Sequence, residues 1–471
     1  MISYPTYFLS FRTSDQVLQS SALGLMKTNL ILLALFLTGC SAQQTGKKSN
    51  VQVVNEKPQS LTVVSHGIPA YQNSTINYKR DGKSFLQVSL SEPVVIDVAK
   101  KPEKWGFFQF PSIGRKQDGT LLAKWHMAAD AVESYGTHSF GSAVSADGGK
   151  TWEVKNDTET IGGVLMPNGD RIAVITPTPL KPGEIRLPKT VGAGLDNYSK
   201  NPYVFYRLHD LPEVGQGVHL KRLKKGETEW KTEKAALYDP QAIRYTYKDL
   251  FPVVWWGDMH IAPDGSVIAG IYPGFYIDAN GKPDPKSGVF FYRSTDNGHS
   301  WKIQGRIPYQ ADLKLDPKGN DRMGFTEPAY DILADGTFLC VNRTTDGFGL
   351  GPMYSNYSKD LGVTWTKPEV FAATGVLPKL LQLKNGVTVL ASGRPGVQLR
   401  FSKNGKVWTD SFEMLPFGSP ENKDQISCGY TQLLETGDDR FLIIYSDFKY
   451  LNEANESRKA IKVREVVVKP I

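Results

Sequence analysis

The sequence predicts an all-β fold made of one repeated antiparallel unit, and three observations carry that reading. Short apolar runs rich in Val, Ile, Phe, Tyr and Trp are separated by turn dipeptides every 8–12 residues. No long stretch of 3.6-residue periodicity interrupts them, so no long amphipathic helix is expected. Two local motifs, a hairpin signature and a longer turn, recur along the chain, which predicts sheets repeated around an axis, a β-propeller.

The hairpin signature is an Asx–Gly or Gly–Asp turn followed by an apolar strand. Asp118-Gly119 precedes Leu121-Leu122-Ala123, Asn168-Gly169 precedes Ile172-Ala173, and Asp264-Gly265 precedes Val267-Ile268-Ala269. Asp335-Gly336, Asn385-Gly386 and Gly437-Asp438 stand before Phe338-Leu339, Val387-Thr388-Val389 and Phe441-Leu442-Ile443. Such pairs supply the positive φ that tight hairpins need. Counting them from about residue 105 to the C-terminus gives six blades of four strands, with the second enlarged by an insertion between Pro177 and Val218. The run Ser84 to Val98 reads as strands able to pair with Ile461 to Val468 and close the ring; a seventh blade there is the alternative.

The longer turn is Ser145-Ala146-Asp147-Gly148-Gly149-Lys150-Thr151-Trp152, repeated from Ser294 to Trp301 and from Ser358 to Trp365, and shortened from Ser402 to Trp408. Its Asp can accept backbone N–H bonds across the bend, Gly permits the bend, and Trp seals the sheet edge. This S-x-D-x-G-x-x-W pattern is similar to the Asp box of sialidase-like β-propellers, where it is structural.

Composition narrows the function classes. Charged residues at 22% and hydrophobic residues at 40% exclude a disordered or collagen-like chain. The net charge of +7 comes from scattered basic residues, so nucleic acid is not an expected partner; an acidic substrate is compatible. No C-x-x-C or H-E-x-x-H occurs, and neither a metal nor another cofactor is expected.

The first 50 residues read as address rather than fold. Met26-Lys27 opens an apolar run, Leu30 to Thr38, that stops at Gly39-Cys40-Ser41, the layout of a secretory signal. Leu37-Thr38-Gly39-Cys40 resembles a bacterial lipobox, which implies acylation of Cys40. The residues before Met26 look like an upstream extension. Residues 1–39 are thus expected to be signal, 40–60 a tether, and 61–471 a single propeller domain held at the bacterial cell envelope by its lipid alone. A monomer is expected. Cys340 and Cys428 remain; Cys340 lies in a strand-like run and reads as a buried thiol, and whether the two are bridged is left open.

The resemblance to sialidases extends beyond the turns. Sialidases hold the substrate carboxylate with three arginines and use a Tyr nucleophile assisted by Glu, with an Asp acid/base. Thr326-Glu327-Pro328 with Asn342-Arg343 resembles their Glu and second Arg; Ser392-Gly393-Arg394 resembles the third Arg, and Cys428-Gly429-Tyr430-Thr431 the nucleophile segment. The first Arg is missing: Gln109 stands there, in Gln109-Phe110-Pro111, and a neutral amide loses the charge-assisted contact. Asp130 and Glu133 are the only acids near the acid/base position.

Histidines instead mark the first blades: His126, His138, His209, His219 and His260, interleaved with Tyr206, Arg207, Arg222 and Trp256. Propeller lyases acting on ulvan, and related uronate dehydratases, resemble this chain in fold and in residue types. That resemblance implies β-elimination on a uronate-containing poly- or oligosaccharide. His138 or His126 is then the base, Arg222 or Arg207 neutralises the carboxylate, Tyr206 protonates the leaving oxygen, and His260 helps hold the acid group. Gln109, Arg207, Arg343, Arg394, Tyr430 and Glu327 are expected substrate contacts. A sialidase-like exo-hydrolase, needing Tyr430, Glu327 and Asp130 as a unit, is the second reading, and a non-catalytic glycan-binding surface lipoprotein the third.

Overall fold

The computed structural model describes residues 53–54, 61–65, 68–71, 75–196, 200–345, 351–394, 396–415 and 426–471. Cys40 and the signal segment lie outside the described residues. Among the described residues no helix is long and apolar enough to cross a membrane.

The chain is all-β and folds as successive four-stranded antiparallel meanders. The first sheet runs Phe107–Arg115, Leu121–Met127, Phe140–Ser145 and Glu153–Val154. The second uses Val164–Leu165, Arg171–Val174, Val218–Leu223 and Lys231–Tyr238, and the third Trp256–Ile261, Val267–Gly274, Gly288–Ser294 and Ser300–Ile307. Their outer strands pair in parallel, Ala236 opposite Ser300, which joins the two sheets edge to edge. The fourth and fifth sheets begin at Phe325–Ile332 and Val376–Gln382. The last is built on Gln432–Gly437, Arg440–Leu451 and Ser457–Pro470, and the early strands Lys83–Leu90 and Val94–Val98 both pair with Ser457–Pro470.

Packing between neighbouring sheets closes these meanders into a β-propeller. Phe291 and Ile268 of the third sheet share a core with Tyr330 and Phe338 of the fourth. Leu339 and Val341 meet Leu390 of the fifth, and Val389 and Leu399 meet Ile443 and Val466 of the last. The last then packs on the first through Leu442, Ile444, Leu121 and Trp125. Each fully buried large side chain of this kind stabilises by about 1.5–3 kcal/mol. The insertion after the second strand of the second sheet was expected to be an enlargement only. It forms a small sheet of its own, Gly192–Leu195 and Pro202–Arg207 against Ile243–Tyr247.

The recurrent turns have one geometry. Asp147 accepts the N–H groups of Lys150 and Thr151 at 3.0 and 2.9 Å and the Thr151 hydroxyl at 2.6 Å, while Trp152 donates to the Gly149 carbonyl at 3.1 Å. Asp296 and Asp360 repeat the carboxylate pattern, and Asn404 accepts from Lys406 and Val407. Gly149 sits at φ +96°, a backbone conformation that residues with a Cβ rarely adopt, so glycine is favoured there. The Thr151 hydroxyl, then its N–H, hold the Asp147 carboxyl below the ordinary carboxylate range. A group lowered in the folded state stabilises above its unfolded value of about 3.9 and loses that as pH falls. Asp147→Ala is therefore expected to flatten the acid limb of stability below about pH 4. An acid-unfolding curve identical to wild type contradicts this.

Candidate active site

The first strands of the third, fourth, fifth, last and first sheets pack one against the next, and the starts of the first, fourth, fifth and last converge at one end. At that end the backbone is bent: Phe110, Glu327, Leu377 and Arg394 all have φ between +38° and +50°, beside irregularities in strand register. Non-glycine residues in this region are strained, and such strain concentrates at functional sites.

Glu327, Arg343 and Tyr430 meet here although 103 residues separate the outermost pair. Arg343 Nη1 donates to both Glu327 oxygens at 2.9 Å and to the Tyr430 hydroxyl at 3.0 Å. Tyr430 donates its own proton to Glu327 Oε1, and Leu377 N–H donates to Oε2 at 3.0 Å. Each member of the trio is at most 3% exposed, so these charges act in a medium that screens them weakly. Burial first, and then the Glu327 charge, push the Tyr430 phenol well above its ordinary value, so it is protonated at rest. Burial works most strongly against the Arg343 charge, but the Glu327 carboxylate and the Tyr430 oxygen together outweigh it. A neutral phenol is thus held between a base able to take its proton and a cation able to stabilise the phenolate.

Arg394 donates from Nε to the Cys428 carbonyl at 3.0 Å and lies over the rings of Trp105, at 5.2 Å, and Tyr430, at 5.6 Å. Trp105 donates its indole N–H to Asp130 Oδ2 at 2.9 Å, which ties Asp130 to the same cluster. Burial pushes the Asp130 carboxyl well above its ordinary range, more than the Trp105 bond and the Arg394 charge draw it down. Its Oδ1 is buried with no hydrogen-bond partner. A carboxyl whose neutral form is favoured by burial, with one uncommitted oxygen, is equipped to act as a general acid.

Gln109 lies beside this cluster, opposite His126 in strand register. Phe110 packs on both Tyr430, at 4.9 Å, and His126, at 5.2 Å. His138 lies 4.7 Å from His126, ring to ring. These two histidines therefore lie near the cluster.

The rest of the expected elimination set is elsewhere. Arg222 is committed to Asp170, Glu233 and the Asn297 carbonyl, pinning the second sheet to a turn of the third. Tyr206 packs on Phe251 in the insertion core, and Arg207 follows it on the same strand. His260 meets Tyr330 edge to face at 4.7 Å and faces Asp331 at 3.5 Å. Those partners are three and four residues beyond Glu327, roughly 10–13 Å along the strand. His209 pairs with its exposed neighbour Asp210, and Glu133 faces Lys248 at 3.7 Å, leaving Asp130 as the acid of this cluster. Cys340 and Cys428 are both buried and free. Trp105 and Phe110 escape the sequence reading; the only signal for Trp105 is a Trp-Gly pair just before the first innermost strand.

The fold is a β-propeller, and the segments that build the site resemble those of sialidases. No family model matches the chain. It is 26% identical over 273 residues to a sialidase of Paraclostridium sordellii, a stretch that takes in 56% of this chain and 59% of that protein, so it spans less than two thirds of that relative. Among solved structures it resembles a protein of unknown function from Dyadobacter fermentans, with TM-score 0.51, 17% identity, and coverage of 81% of this chain and 99% of that one. Trypanosoma rangeli sialidase in complex with the inhibitor DANA gives TM-score 0.39 and 13% identity, covering 88% of this chain and 59% of that one.

Proposed function

We propose that the protein is an exo-acting glycoside hydrolase, on a six-bladed propeller, for sugars that carry a carboxylate on the anomeric carbon. The observation that carries this is the Tyr430 hydroxyl shared between Glu327 and Arg343. A carboxylate nucleophile would be repelled by an anionic group on the carbon it attacks. A neutral phenol is not, and it gains nucleophilicity only as its proton leaves. In the reaction Tyr430 oxygen bonds to the anomeric carbon as its proton passes to Glu327. The bond to the leaving oxygen breaks, and that oxygen takes the proton of Asp130. Water then attacks the tyrosyl glycoside, gives its proton to Asp130, and Tyr430 leaves as phenolate to be reprotonated from Glu327. Two displacements retain the anomeric configuration. Arg394, with Arg343 behind it, supplies the positive field for the substrate carboxylate.

Elimination on a uronate is the second reading, and the contact between His126 and His138 beside the cluster is what favours it. The two are separated by incubating the protein with aryl ketosides of N-acetylneuraminic and 3-deoxy-octulosonic acids and with unsulfated and sulfated uronate polysaccharides. Hydrolysis releases the aryl group with no new ultraviolet chromophore. Growth of the absorbance of a 4,5-unsaturated uronate, with the ketosides untouched, supports elimination instead.

The anchoring reading joins this proposal. Acylation at Cys40 keeps the enzyme at the envelope, facing oligosaccharide rather than cytosolic metabolites. Cys40→Ala is expected to move the protein from the membrane fraction to the soluble fraction or leave it unprocessed. An unchanged membrane signal contradicts the anchor.

A further inference from the structure

We infer that Gln109, His126 and His138 form an uncharged recognition subsite beside Tyr430, which takes a neutral hydrogen-bonding substituent of the sugar. This rests on the hydrolase reading of the neighbouring cluster and adds to it what the rest of the substrate looks like. Gln109 is fully buried, and its carbonyl oxygen accepts the Gly106 N–H at 3.2 Å. That bond orients the amide so that its NH2 group is the uncommitted end, and Nε2 is buried with no partner. His126 Nδ1 and His138 Nε2 are likewise buried without partners. Three such atoms, brought together by one strand pair and the connection after it, are a concentration that folding disfavours unless a ligand satisfies it.

The surroundings determine which ligand. The imidazoles are enclosed by one another and by Phe110, Phe140 and Tyr135, and among the described residues no carboxylate is hydrogen-bonded to either. Burial lowers His126 to about 3 and His138 to about 4, so both are neutral donors and acceptors at physiological pH. The subsite thus has no charge with which to hold an anion. A hydroxyl or amide of the sugar matches it; a sulfate or second carboxylate would be desolvated there without a counter-charge. His138 is half-buried and packs beside Phe140, which is 40% exposed, so the pair lies close to the surface. Charge accounting agrees: burial favours the neutral form of Asp130, and beside it the positive charges of Arg343 and Arg394 match Glu327 and a single substrate carboxylate.

The test is calorimetric titration with 2,3-didehydro-N-acetylneuraminic acid, which carries one carboxylate alongside neutral acetamide and hydroxyl groups. Gln109→Leu and His138→Leu should each bind at least tenfold more weakly than wild type. His138→Gln, which keeps a neutral donor and acceptor, should stay within about threefold of wild type and serve as the folded control. Unchanged affinity in both Leu variants, His138→Gln as weak as His138→Leu, or no binding to wild type each overturns the subsite. Binding with this pattern but no ketoside hydrolysis sinks the hydrolase reading and leaves the subsite standing.

Discussion

Tyr430→Phe is expected to lower kcat for an aryl ketoside by about 10³-fold or more, with little change in stability. The substitution removes one oxygen. The ring keeps its contacts with Phe110 at 4.9 Å and Arg394 at 5.6 Å, and Glu327 stays paired with Arg343 at 2.9 Å. What is lost is the atom that forms the covalent bond, so the effect should fall on kcat while ligand affinity stays near that of wild type. Equal losses of activity and of thermal stability would mean that the hydroxyl is chiefly a packing group.

Arg343→Met should have the opposite balance. Glu327 would be left buried, hydrogen-bonded to the Tyr430 hydroxyl and the Leu377 N–H but without its paired counter-charge. Breaking a buried pair by removing one partner costs about 3–5 kcal/mol, so the urea midpoint should fall sharply and activity should vanish with it. The double variant Arg343→Met, Glu327→Leu removes both charges and should recover much of the stability, but none of the turnover. Failure of that recovery would place the loss in packing rather than in the unpaired charge.

How much of this was open to sequence reasoning depends on how local each signal is. The turns were legible because Asp147 and its counterparts bond within four residues of themselves. Glu327, Arg343, Arg394 and Tyr430 were legible because each stands in a short segment resembling those of sialidases. Arg222 was misread as the catalytic group that neutralises the substrate carboxylate, since two of its partners, Asp170 and Asn297, lie 52 and 75 residues away and the pairing with Glu233 depends on hairpin register. Tyr206 and Arg207 were misplaced because the insertion builds a separate sheet, which residue types alone do not reveal. His260 has the expected strand but the wrong end of it. Depth along an innermost strand depends on register, and one sequence does not fix register against a neighbouring sheet. Asp130 was visible only as one of two nearby acids, and the Trp105 indole is what distinguishes it.

The central claim is that Tyr430 carries the sugar covalently, and mass spectrometry tests it most directly. The protein is incubated with 3-fluoro ulosonosyl fluorides of the neuraminic and octulosonic series, in which the electron-withdrawing fluorine slows release of the intermediate. Peptide mapping should find one fluoro-sugar on the peptide containing Tyr430, absent in Tyr430→Phe. Rapid ketoside hydrolysis with no adduct, or an adduct on a different residue, contradicts the account.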